Sequence, residues 1–251
     1  GQNAQLRLIE EYRSGIDDFG LTNVSTNIVL QKGATLNHHR LQNEAISSSQ
    51  IAKIVASVEA NASYNSDSIV LGGQLTRLEI DVALTGGLAT CRLNGLFSGS
   101  GEQHIDHHTT VRHQVGDTHS EELYRGILDD KSRGVFNGKV IVEKDAQKIT
   151  AKQASNNLLL SRTAEIDTKP ELQIYADDVK CAHGATIGQL DSAALFYLRS
   201  RGISEQKSRA LLIFAFAEEI IKTIPVDNLR SNLERRFIGH NEMSKLKSEA
   251  L

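Results

Sequence analysis

The chain has 251 residues, a formal net charge of −3, 39% hydrophobic and 24% charged residues, which describes a folded chain long enough for one large domain or one domain with a small appendage. No long Lys/Arg run offers a face to nucleic acid, and no apolar stretch approaches the ~20 residues that cross a bilayer, the most apolar run (210–217) being too short. Two cysteines do not make a disulfide framework and fit a reducing compartment, and with no tryptophan the core must come from Leu, Ile, Val and Ala.

The opening residues, GQNAQLRLIEEY, read as turn plus strand. No targeting signature or initiator methionine precedes them, which predicts a fragment or processed chain that starts inside a fold. A phrase then recurs, a small or Gly-rich turn followed by alternating apolar and polar residues: GATLNHHRL (33–41), NASYNSDSIVL (61–71), GGQLTRLEIDVAL (72–84) and GGLATCRLNGLF (86–97). In the clearest case Leu78, Ile80, Val82 and Leu84 share one face, the period of a strand with one buried side. In the next, Ala89, Cys91 and Leu93 share a face. A sandwich, a barrel and a β-helix all place strands at such spacing. Turns built on G-G, N-A and G-A, few aromatics, and phrases similar enough to stack as coils favour a parallel β-helix. Asn137-Gly138 within GVFNGKV is a hairpin signal and predicts a local chain reversal.

After Asp191 the period changes. Asp191 reads as an N-cap, DSAALFYLRSRG as a helix stopped by Gly202, and Ser204 as the cap of a second helix running to about Thr223 before Pro225. That helix is apolar over a wide arc, so part of it should pack on the β-rod or on neighbouring helices. A third helix is predicted over 226–238, with a polar, frayed last dozen residues. The division is a β-region over 1–188 and a helical domain over 189–251.

Four groups of residues invite chemistry. In HIDHHTTVRH, His104, Asp106 and His108 fall on one strand face, and His107 and His113 on the other. Same-face neighbours on a strand lie ~6.6 Å apart, so three ligands on one straight strand rarely meet at an ion, and a polar ladder is the simpler reading. Asp177-Asp178 could serve as acid and base in glycan cleavage, but adjacent strand residues point to opposite faces. Cys91 sits on an apolar face as a small buried hydrophobe. In ADDVKCAHGATIG, Cys181 and His183 point the same way, but a nucleophile pair wants an orienting group and a zinc site two more ligands. The pair reads either as core residues or as part of a site completed by another chain. No phosphate loop or dinucleotide fingerprint occurs.

The phrases DTKPEL (167–172), ADDVKCAHGAT (176–186) and FYLRSRGI (196–203) resemble the SufB/SufD family of iron–sulfur cluster assembly proteins, with weaker similarity running back through HHTTVRH and LYRGILDDKSRGVFNGKV into the repeats. The resemblance covers nearly the whole chain, apart from an N-terminal region that family members carry in addition. Cys181 and Gly184-Ala185 favour the SufD branch, since acidic residues flanking the histidine would be expected of SufB; a SufB-like paralogue is the alternative, and a polysaccharide-processing β-helix a more distant one. The resemblance implies a right-handed parallel β-helix followed by a small α-helical domain, in a non-catalytic scaffold subunit. It implies a SufB-like partner at the seam holding His183, a SufC-like ATPase docked on the C-terminal helices, and no stably bound cofactor in isolation but a transient iron–sulfur cluster in the complex. His183 would supply a metal ligand shared with a partner chain, with Cys181 as ligand, sulfur acceptor or packing. Leu195, Tyr197, Leu198, Arg199, Leu211 and Phe214 are the docking residues that this reading selects. The exposed β-helix edge favours a homodimer of the isolated chain, and the implied location is bacterial cytoplasm or plastid stroma.

Overall fold

The computed structural model describes residues 1–15 and 18–248, with the side chains of 238–248 excepted. Its strands alternate between two parallel sheets that wind as a β-helix. A seven-stranded sheet contains β1 (Gln5–Arg13), β3 (Thr35–Asn43), β5 (Ser63–Val70), β7 (Thr90–Gly99), β9 (His119–Leu128), β11 (Ile149–Leu159) and β13 (Val179–Gly188). The six-stranded sheet contains β2 (Leu21–Leu30), β4 (Ser49–Val58), β6 (Leu75–Leu84), β8 (His104–His113), β10 (Arg133–Val142) and β12 (Glu165–Ile174). Register is strict: Thr35, Ser63, Thr90 and His119 stack one above another, so each interior side chain lies beside its counterpart in the next coil.

The turns explain why such varied sequences stack. Asn3, Gly33, Asn61, Leu88, Asp117 and Lys148, one before each of the first six strands of the larger sheet, have φ between 55 and 73°. Each donates its backbone N–H to a carbonyl one coil further on, from Asn3 to Lys32 (2.9 Å) through to Lys148 to Asp178 (2.6 Å). A left-handed conformation costs a residue such as Leu88 roughly 1–2 kcal/mol, and the ladder of turn hydrogen bonds offsets it. The expected faces are present: Leu78, Ile80, Val82, Leu84, Ala89, Cys91 and Leu93 all join one buried cluster.

One expectation is corrected. Asn137 and Gly138 do not turn the chain; both lie inside the continuous strand β10, paired in register with β8 and β12. Glycine stands there for room. A Cβ at position 138 would meet the Gln153 amide nitrogen at 2.3 Å.

Three helices follow: α1 (Ser192–Ser200), α2 (Glu205–Ile221) and α3 (Asp227–Ser248). Asp191 caps α1 by accepting from the Ala193 N–H (2.8 Å), Ser204 caps α2 through the Lys207 N–H (3.4 Å), and Gly202 (φ 85°) ends the first helix as its position suggested. α3 is longer than the 226–238 expected, continuing through the polar tail to Ser248; of the last dozen residues, 249–251 lie outside the described residues. α2 lays Ile213, Ala217, Ile220 and Ile221 on the outer face of the larger sheet, against Leu41, Ile69, Leu96 and Ile127. Arg125 of β9 fixes this packing. Its guanidinium donates to the Phe216 carbonyl (2.8 Å), pairs with Glu219 and stacks on the Phe216 ring at 4.6 Å.

The rod interior is not purely apolar. His107 is buried between the rings of Phe97 (5.1 Å) and Tyr124 (5.5 Å), and burial lowers its pKa to about 3. His113 is held by the hydroxyls of Thr118 (2.7 Å) and Ser120 (2.9 Å), and burial lowers it to about 4. Glu122 is fully enclosed; burial raises its carboxyl from 4.5 to about 7 against the hydrogen bonds from Gln153 and Thr109, which lower it. The folded chain therefore keeps the Glu122 proton over a range where the unfolded chain has lost it, and this stabilising contribution, complete below about pH 4.5, is lost as the pH rises through about 7. The two histidines act oppositely: their contribution is complete above the unfolded value of 6.5 and is lost as the pH falls toward 4 and 3. Glu122→Gln removes the first slope and leaves the second. Its stability relative to the parent should be higher at pH 8 than at pH 5 by on the order of 1–3 kcal/mol, at about 1.4 kcal/mol per pH unit across the titration. Urea unfolding at both pH values checks this; an equal difference at the two would show that Glu122 ionises freely.

Candidate functional site

β13 ends the rod. It pairs on one side only, with β11, and no residue of β12 or β13 is fully buried. In register, Val179, Cys181, His183, Ala185 and Ile187 continue the column positions of Ile149, Ala151, Gln153, Ser155 and Asn157, all buried inside the preceding coil. Side chains of interior type thus reach the surface because no further coil covers them. His183 is exposed, and so are Gly184, Ala185, Thr186 and Ile187 beside it. The first coil, β1 and β2, is largely open as well, with Leu6, Ile9 and Leu21 exposed.

Cys181 differs from His183. It is half-buried and packs with Val179 and Leu172 against Val140, Val142, Ile149 and Ala151. Burial pushes its thiol above the ordinary value, partly offset by a backbone hydrogen bond from Ala151. A thiol held protonated is a weak nucleophile and a weak ligand until a metal or cation displaces the proton. Cys91 is fully enclosed, with its thiol pushed well up by burial, and packs in the core as expected.

The histidine-rich strand β8 is divided by its pleat. His107 and His113 enter the rod, and His108 stays outside, bonded to Asp106 (2.8 Å), which also pairs with Arg77 of β6. Further outer-face pairs, Lys53 with Glu79 and Arg112 with Glu143, make a polar ladder across this sheet. Among the described residues no group of three or more His, Cys, Asp or Glu converges as a metal site. Asp177 and Asp178 occupy the exposed turn into β13, where the Asp178 backbone is tied to Gln147 (2.8 Å) and Lys148 (2.6 Å).

The helical residues singled out divide between α1 and α2. α1 buries no residue: Tyr197 and Arg199 are exposed, and Leu195 and Leu198 are half-buried. Leu211 of α2 is 40% exposed, whereas Phe214 packs against the α2–rod cluster. Phe196, which the sequence reading passed over, is 74% exposed and stands beside Tyr197. Its signal was present: with Asp191 as N-cap, the helix has no apolar stripe strong enough to hide two aromatics in succession. Also missed were Glu122 and Gln153, hydrogen-bonded inside the rod in the column that ends at His183. Only the strand register, which runs through turns of unequal length, reveals that alignment.

Comparison with known proteins shows the family. The profile described as SUF system FeS cluster assembly, SufBD core domain, matches residues 1–216. The iron–sulfur cluster assembly protein SufD of Escherichia coli is 36% identical over 94% of this chain and 56% of its own length. A SufBD family protein of Synechocystis is 38% identical over 85% of this chain and 47% of its own, and the chloroplastic protein ABCI7 of Arabidopsis thaliana 33% identical over 95% and 50%. The chain thus spans about half the length of these relatives. It belongs to the SufBD core family of the SUF iron–sulfur cluster assembly system, and within that family it is similar to SufD.

Proposed function

We propose that this chain is the SufD-like, non-catalytic scaffold subunit of an iron–sulfur cluster assembly complex, and that its rod end at β13 docks a SufB-like subunit. The observation that carries the reading is the uncovered last coil. β13 presents unpaired backbone groups along its free edge, the chemistry by which one sheet recruits another strand. It presents His183 beside that edge, and among the described residues no group of three or more His, Cys, Asp or Glu gathers there. A single imidazole at an interface suits a shared site, in which iron accepts nitrogen and thiolate ligands from two chains. The nascent cluster is cargo in this scheme. Cys181, half-buried with a raised thiol pKa, serves packing under the seam. Without the partner, the same edge supports pairing of two copies of the chain.

The exposed aromatic pair on α1 supports docking of a SufC-like ATPase there, over Leu195, Tyr197, Leu198 and Arg199, with Leu211 at the margin. α1 follows β13 after the short link 189–191, so force applied to the helix reaches the strand that carries His183.

Two outcomes test this reading. His183→Ala should leave folding within about 0.5 kcal/mol of the parent, as for an exposed residue outside the core. It should leave the purified complex intact, yet reduce maturation of an iron–sulfur acceptor by an order of magnitude or more under anaerobic reconstitution. Normal maturation by His183→Ala complexes would remove His183 from the site. Replacing Phe196 and Tyr197 together by Ala should weaken binding of the ATPase by roughly 1–3 kcal/mol while leaving the thermal midpoint unchanged. Unaltered affinity by calorimetry would place the docking surface elsewhere.

A further inference from the structure

Inside the rod, three residues of successive coils stand in one column. Glu122 of β9 pairs in register with Gln153 of β11, and Gln153 with His183 of β13. Glu122 and Gln153 are 1% and 3% exposed; His183 is open because the column stops there. The amide nitrogen of Gln153 donates to Glu122 Oε2 at 3.0 Å, and Thr109 Oγ1, from the opposite sheet, donates to the same oxygen at 2.8 Å. In this orientation the amide N–H serves the carboxyl oxygen and Gln153 Oε1 is left over.

The surrounding wall is shaped for that amide. Gly138 lies across from it on β10, and a Cβ there would come within 2.3 Å of Gln153 Nε2 and 2.9 Å of its Cδ. The glycine that mimicked a hairpin signal is the space that Gln153 fills. What remains is the other half of the amide: Gln153 Oε1 is buried with no hydrogen-bond partner among the described residues. Leaving such an acceptor unmatched is destabilising, so a donor that reaches it is favoured. The next residue in its column, on a backbone one strand spacing of about 4.8 Å away, is His183, whose ring makes no hydrogen bond to Oε1 in this structure.

We propose that Gln153 is a positioning residue for His183 in the assembled complex: Gln153 Oε1, unpartnered in the chain alone, there accepts the N–H of one imidazole nitrogen and thereby holds the other nitrogen bare and directed out of the rod end. A histidine that binds a metal commonly donates its second nitrogen to a carbonyl or carboxylate, which sets both tautomer and ring angle. Thr109 and Glu122 hold the amide in turn, so the geometry at the surface is set two coils deep. The inference rests on the reading of His183 as a cluster ligand, and it concerns how that ligand is prepared.

The test uses the full-length chain alone and in complex with its SufB-like and SufC-like partners. The 15N shifts of the His183 ring are read at a pH where the ring is neutral, and ferrous iron is the binding probe. The parent complex should show one protonated and one bare nitrogen. Gln153→Met, similar in size but lacking the amide acceptor, should mix the two tautomers and weaken ferrous binding by about 10–100-fold. The exchange Glu122→Gln with Gln153→Glu keeps an oxygen facing position 183 and should restore a single tautomer. A tautomer mixture in the parent complex, which needs no variant to fold, would overturn the proposal, as would an unchanged tautomer in Gln153→Met. If His183→Ala matures acceptors normally while Gln153→Met still shifts the tautomer, the ligand reading fails and the positioning stands. If His183→Ala is inactive and the tautomer ignores Gln153, the reverse holds.

Discussion

Parallel, in-register stacking governs this molecule. Each coil closes its hydrogen bonds and buries its inward side chains only by lying on the next, and the left-handed turn residues from Asn3 to Lys148 repeat the same bond to the same place one coil on. Such a structure has no internal means of stopping. Where it ends, it leaves backbone donors and acceptors unpaired and interior side chains uncovered, as β12 and β13 do. The placement of His183 follows from this constraint: it holds an interior column position at a coil with nothing above it.

Stacking also explains why polar residues persist inside the rod. A column couples each side chain to its neighbours above and below, so a carboxyl at Glu122 can be matched by an amide at Gln153 and a hydroxyl at Thr109 across the lumen. The interior glycines belong to the same packing problem. A Cβ at Gly95 would lie 2.2 Å from the ring of Tyr124, a side chain that is itself wholly enclosed. Large and small residues therefore alternate between coils, and a short sequence phrase cannot be judged without knowing what is stacked on it.

That dependence marks how far the amino-acid sequence could be read. The apolar face of β6, the caps at Asp191 and Ser204 and the stop at Gly202 are local matters of period and hydrogen bonding, and they were legible. Asn137-Gly138 was misread because the dipeptide is judged by its turn chemistry, whereas Gly138 answers to Gln153 on another strand. His107 and His108, adjacent in the chain, fall in opposite environments, one between aromatic rings and one bonded to Asp106 outside. The Cys181-x-His183 motif was visible by resemblance, but its physical meaning was not: the spacing gives a shared face, and only the sheet order shows that face to be the end of the rod. α3 outran its expected limit because the polar composition of its tail offers no apolar period from which a helix can be read.

The central claim is that the free edge of β13 is where a second subunit binds. Hydrogen–deuterium exchange on the chain alone and with the SufB-like subunit measures this directly, peptide by peptide. The account predicts that the amides of Val179–Gly188 become strongly protected in the complex, while those of the α2–rod contact change little. Equal exchange of β13 in both states, with protection confined to another part of the rod or to the helices, would contradict it.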